Sequence, residues 1–120
     1  MIKGWKYSTK LSDFKELKAS NKNNGYVYAA RIQIIQGFTL LKIGATRDPY
    51  TRLSAMRKRA DLFAVSPEHE NFFDNEEKCH IAFEAQRVPP RPHQGSQAEL
   101  FNLSLSYFLK NIPNLEYRKN

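Results

Sequence analysis

A single cysteine, Cys79, stands among the 120 residues, which excludes an internal disulfide and fits a reducing compartment. Its default role is that of a small buried apolar residue. With only three histidines, scattered along the chain, it also excludes a tetrahedral structural zinc site. No apolar run approaches the length of a membrane span, and the N-terminus carries no signal-like apolar segment, so an intracellular protein without a membrane anchor is expected. Glycine is scarce and never clustered. One glycine in "KIGATRD" cannot bring enough backbone amides to a polyphosphate, which rules out a phosphate-binding loop. No serine sits on a glycine-flanked elbow, and the glycine-aromatic motif of RNA-binding sheets is missing although Tyr26 and Tyr28 share a face. Acidic residues are outnumbered, 12 against 19 Lys and Arg, leaving a net charge of +7. An anionic partner is therefore worth weighing, nucleic acid first, against an equally common solvated basic surface.

What is present suffices for one domain with one modest core. Residues 1–24 read as an appendage: Leu11, Phe14 and Leu17 recur at helical spacing behind Ser12 and Asp13, and "NKNNG" breaks the pattern into a linker. Residues 25–120 form the domain. "YVYAARIQII" and "FTLLKIG" are β-rich runs separated by Gln36 and Gly37, as in a hairpin. Tyr28 and Lys42 share a face if the turn has an odd number of residues, and a two-residue turn separates them. Asp48 then caps a helix with Pro49 at its first position and Leu53, Met56 and Ala60 as its stripe, with Arg52 and Arg59 on one edge and Arg57 on the other. Residues 61–65 read as a third strand. A second helix covers roughly 69–86, an extended proline-rich loop 88–97, "AELFNL" a short strand, and Ser104 caps a last helix stopped by Pro113. The expected fold is α/β (α+β): a ββαβα core with an N-terminal helix and an extra C-terminal strand and helix.

On the wheel of the second helix, Phe72, Glu76, Cys79 and Phe83 share one stripe, with His80 and Arg87 beside it and Glu77 pointing away. A carboxylate in an apolar stripe requires a cation, a metal ion or a donor nearby. The alternative is Glu76 at the stripe's edge with an i,i+4 bond to His80. Tyr26, Tyr28, Lys42, Arg52, Glu76 and His80 could gather at one end of a small sheet, and they suffice for phosphodiester hydrolysis, which needs something to take a proton from water, cations for the phosphate, and an acid for a divalent ion.

The segments "GYVY" (25–28), "KIGATRDPYTRL" (42–53), "EEKCH" (76–80) and "ELF" (99–101), in that order, resemble the GIY-YIG nuclease superfamily, closest to the branch of phages and mobile elements whose second motif reads Lys-Ile-Gly. The resemblance covers residues 25 to about 103. It implies a DNA endonuclease using one Mg²⁺ or Mn²⁺ ion. Tyr28 matches the tyrosine that serves as base or orients the attacking water, and Arg52 the arginine on the scissile phosphate. Glu76 matches the metal ligand, with Glu99 as its rival, and His80 is a neighbour that polarises water or phosphate. Lys42 stands where most of the superfamily has a second tyrosine. Gly44 is expected to turn the chain so that Lys42 and Arg52 bracket one phosphate. Tyr26, Thr46, Arg57, Arg59, Arg87 and Arg91 complete the expected substrate contacts, giving salt-sensitive affinity. Two other readings stay open: a nuclease-fold module that binds nucleic acid or a protein without cutting, and a ribonuclease.

Overall fold

The computed structural model describes residues 4–88 and 100–115. The expected loop at 88–97 therefore lies almost wholly outside the described residues, as do Arg91 and Glu99. The elements are strands β1 (Lys6–Ser8), β2 (Tyr26–Ile35), β3 (Phe38–Thr46), β4 (Ala60–Val65) and β5 (Leu100–Phe101), with helices α1 (Pro49–Ser54), α2 (Phe72–Ala82) and α3 (Leu105–Lys110). All five strands form one antiparallel sheet in the order β1-β4-β2-β3-β5. This is a small α+β architecture with β2 at its centre.

Because β2 is covered on both faces, Tyr26 to Ala30 are all buried. Alternation sorts the core into two layers. Val27, Ala29, Leu41, Ile43 and Ala64 meet Cys79 of α2, Phe83 just after it, and Leu105 and Phe108 of α3. Tyr26, Tyr28, Ala30, Ile32, Phe63 and Val65 meet Leu53 of α1 and Phe14 on the opposite side. Helices α1 and α2 thus lie on opposite faces of the sheet.

The hairpin turn is the two-residue Gln36–Gly37, yet Tyr28 and Lys42 share a face. The register slips by one residue between Gln33 and Ile35, so that Tyr28 pairs with Gly44 and Ala30 with Lys42. This bulge restores the parity that a two-residue turn removes. Gly37 adopts φ +81°, a conformation that an L side chain rarely takes.

Three expectations need correction. The N-terminal segment is not an appendage ending in a helix: residues 6–8 pair with β4, residues 11–14 form only a 3₁₀ turn, and Phe14 is fully buried. Asp13 does not cap it but accepts a hydrogen bond from the Ser8 hydroxyl. Helix α1 stops at Ser54 instead of reaching Ala60. The amides of Met56, Arg57 and Arg59 bond three residues back, and Ala60 joins β4 opposite Ile32. Sheet pairing overrides the helical periodicity there, and with it the wheel positions assigned to Arg57 and Arg59. Finally, α2 ends at Ala82 and a 3₁₀ turn over 84–86 replaces its last turn.

Candidate active site

The site begins with one cross-strand pair. Tyr28 and Gly44 face each other on β2 and β3, and a Cβ added at Gly44 would lie 2.5 Å from the Tyr28 hydroxyl oxygen, 2.6 Å from Cζ and 2.8 Å from Cε2. Such contacts are too short for any side chain, so glycine is needed for the phenol ring to lie across the strand. Gly44 is therefore not the corner expected of it: β3 continues to Thr46, and the chain turns only afterwards. At that turn the Thr46 hydroxyl accepts the Asp48 amide at 3.0 Å. Asp48 in turn caps α1, accepting the Thr51 amide at 3.2 Å and the Thr51 hydroxyl at 2.8 Å. Thr46 is thus used in building the entry to α1.

The acid comes from the other helix. Among the described residues, strand β5 pairs with Leu41 and Lys42 of β3, and the Ile43 carbonyl comes next along that strand. His80 Nε2 lies 2.9 Å from that oxygen. A carbonyl only accepts, so Nε2 carries the proton and Nδ1 remains available. The imidazole also packs on Phe101, with centroids 5.2 Å apart. Glu76 Oε2 lies 3.8 Å from the same Nε2, one helical turn away, with its side chain 17% exposed. Glu77 is exposed, as the helical wheel requires. The acid–histidine pair is thereby moored to the residue between Lys42 and Gly44. Since α1 and α2 flank opposite faces, a substrate shared by Arg52 and Glu76 has to pass around the sheet.

The remaining residues divide clearly. Arg52 is exposed, its amide donates to the Asp48 carbonyl at 3.1 Å, and no hydrogen bond or ion pair engages its guanidinium among the described residues. Lys42 is half-buried on the Tyr28 face. Tyr26 belongs to the structure around the site: its hydroxyl donates to the Lys18 carbonyl at 2.9 Å, and burial, then the Glu68 charge, pushes its ionisation above the ordinary range. Arg87 pairs with Glu84 and bridges to Phe101 beyond β5. Arg59 accepts the Gln33 amide through its carbonyl at 2.7 Å. Gln33 is five residues along β2 from Tyr28, about 17 Å at ~3.4 Å per residue, so the Arg57–Arg59 loop belongs to the far end of the sheet.

Two features escape sequence reasoning. Asn75, only 1% exposed, occupies the buried stripe of α2 beside Glu76, whereas the helical wheel put the glutamate itself there. Arg47 lays its guanidinium over the Phe72 ring, 5.4 Å from the centroid, a cation–π contact whose only sequence signal is a cation next to the Asp48 cap. Cys79 is inert as expected: burial and then the Glu76 charge push its thiol up to about 12.

The chain belongs to the T5orf172 domain family, whose model matches residues 25–114. This domain occurs in phage and mobile-element proteins and is related to GIY-YIG-like nuclease folds. No curated protein and no solved structure matches the chain. Among the described residues no helix is long and apolar enough to cross a membrane.

Proposed function

We propose that this domain is a divalent-metal-dependent endonuclease that hydrolyses DNA phosphodiester bonds in the GIY-YIG manner. The observation that carries the reading is the arrangement at the β3 edge: Tyr28 across Gly44, and Glu76 with His80 moored at Ile43 between that glycine and Lys42. Family membership and the net charge of +7 support a nucleic-acid partner.

The donors at this edge suit a hard, water-rich ion. Among the described residues no three of His, Cys, Asp and Glu gather as a metal cage. Glu76 is a single carboxylate, and Mg²⁺ or Mn²⁺ commonly takes one or two carboxylates and fills its shell with water and phosphate oxygens. Held by Glu76, the ion supplies Lewis-acid stabilisation of the charge that develops on phosphate and leaving oxygen. Arg52 binds a non-bridging phosphate oxygen. Tyr28 in its phenolate form, or Lys42 in its free-amine form, orients the attacking water and receives its proton. The water oxygen bonds to phosphorus in line with the leaving oxygen, whose bond to phosphorus breaks and which takes its proton from solvent water. His80, its Nε2 proton committed to Ile43, fixes the acid's surroundings and can accept a proton only at Nδ1.

A second reading has one specific observation in its favour. Tyr28 is 0% exposed, as suits a residue that shapes a nucleic-acid-binding module without cutting. Incubating supercoiled DNA, single-stranded DNA and RNA with Mg²⁺ or Mn²⁺ decides between them. Nicking of DNA by the native protein, abolished by Arg52→Ala and by Glu76→Ala, establishes the endonuclease. Binding without cutting establishes the module, and cutting of RNA alone a ribonuclease.

A further inference from the structure

The far end of the sheet carries an arrangement that the active-site reading does not use. At the tip of the β2–β3 hairpin, Ile34, Ile35 and Phe38 are 39%, 66% and 43% exposed. Nothing lies within 4 Å of a Cβ placed on Gly37 at the turn, so the tip projects into open space. Beside it runs Arg57-Lys58-Arg59, all exposed, bordering a shallow depression of about 450 Å³ that Ser54, Ala55 and Met56 also line. The loop is fixed to the hairpin by the Gln33 amide, which donates to the Arg59 carbonyl one residue before Ile34. The neighbouring acid does not neutralise the loop: Asp61 is engaged by Arg31 through two bonds of 2.8 and 3.0 Å.

We propose that the hairpin tip and the 57–59 loop form a second contact surface for duplex DNA, with the three cations on phosphates and Ile35 and Phe38 inserted against base steps. The proposal rests on the reading of DNA as substrate, and charge complementarity chooses the occupant. Cations clustered beside projecting apolar side chains are the combination with which proteins hold a groove and partly unstack its steps. An apolar protein partner gains nothing from three adjacent exposed cations, of which Arg57 donates only to the neutral Ser54 carbonyl at 3.2 Å, whereas a polyanion neutralises them and releases counterions. Counted along β2 from Tyr28 to Gln33, where the 57–59 loop attaches, the separation is about 17 Å at ~3.4 Å per residue, which corresponds to about five base pairs at ~3.4 Å per step. One duplex can therefore lie across both ends of the sheet.

The test is equilibrium binding of the full chain to a fluorescent duplex of about 20 base pairs, followed by anisotropy in EDTA between about 50 and 200 mM salt. Replacing Arg57, Lys58 and Arg59 together with alanine is expected to lower affinity about tenfold or more and to reduce the slope of log K against log salt by about 2–3. Ile35→Ser with Phe38→Ser is expected to lower affinity severalfold with the slope unchanged. All five side chains are exposed, and thermal melting confirms the fold; Ile35→Ser alone replaces the pair if the pair fails to fold. Native affinity in either variant overturns the proposal, as does preference for single-stranded RNA over the duplex. Because EDTA removes cutting from the measurement, the two readings fail separately. Weakened binding by both variants without metal-dependent nicking keeps this surface and ends the nuclease. Nicking with unaltered binding in the variants does the reverse.

Discussion

Gly44→Ala tests the close approach on which the site is built. The added methyl would sit 2.5 Å from the Tyr28 hydroxyl oxygen and 2.6 Å from Cζ, and Tyr28, at 0% exposure, is enclosed in the core cluster that contains Leu53 and Phe63. Overpacking of this kind costs about 1–3 kcal/mol, against which alanine recovers about 0.5–1 kcal/mol of strand preference over glycine. The net expectation is a loss of about 1–2 kcal/mol, a fall in Tm on the order of 5 °C. Tyr28→Leu removes the hydroxyl, Cζ and Cε2, the three atoms that the methyl meets, while keeping an apolar side chain. In a double-mutant cycle the pair should therefore be more stable than the sum of the single losses by about 1 kcal/mol. Calorimetry of the four proteins measures this. Refutation takes either of two forms: Gly44→Ala as stable as the native protein, or strictly additive losses.

Arg52→Ala, at an exposed position, should change stability by no more than about 0.5 kcal/mol and lower metal-dependent nicking by about 100-fold or more, read by parallel melting and plasmid-relaxation assays. His80→Ala removes the donor on the Ile43 carbonyl and the contact with Phe101, and denaturant titration should show a loss of about 1–3 kcal/mol. The Cys79 thiol, raised from 9.0 to about 12 in the fold, should resist alkylation at pH 8 until the protein unfolds. The folded state holds this proton more tightly than the unfolded chain, so its contribution to stability is complete below about pH 9 and declines as pH rises towards 12. Comparing urea midpoints at pH 8 and pH 10.5, the decline should be smaller in Cys79→Ala than in the native protein.

The parts of this fold legible in the sequence are those written in neighbouring residues. Alternation marked β2 and β3, Asp48-Pro49 and Ser104 marked helix starts that the structure keeps, and Glu76 was separated from Glu77 by helical phase alone. Nonlocal pairing hid the rest. Three residues, Lys6 to Ser8, carry no pattern that announces an edge strand, and the bulge between Gln33 and Ile35 leaves no mark in a run of alternating apolar residues. A lone glycine serves equally for a turn or a close approach, and only the Tyr28 ring decides for the second at Gly44. Asn75 was invisible because a buried amide satisfied by its surroundings looks, on a helical wheel, like a solvent-facing one. The placement of α1 and α2 on opposite faces was equally unreadable.

The most direct measurement is plasmid nicking in Mn²⁺ and Mg²⁺ by native protein, Arg52→Ala and Glu76→Ala prepared identically. Nicking that needs the ion and disappears in both variants, with both still folded, is the predicted result. Cutting that survives the loss of Glu76, or a native protein that binds DNA and leaves it intact, contradicts a phosphodiesterase site at the Ile43–Gly44 edge.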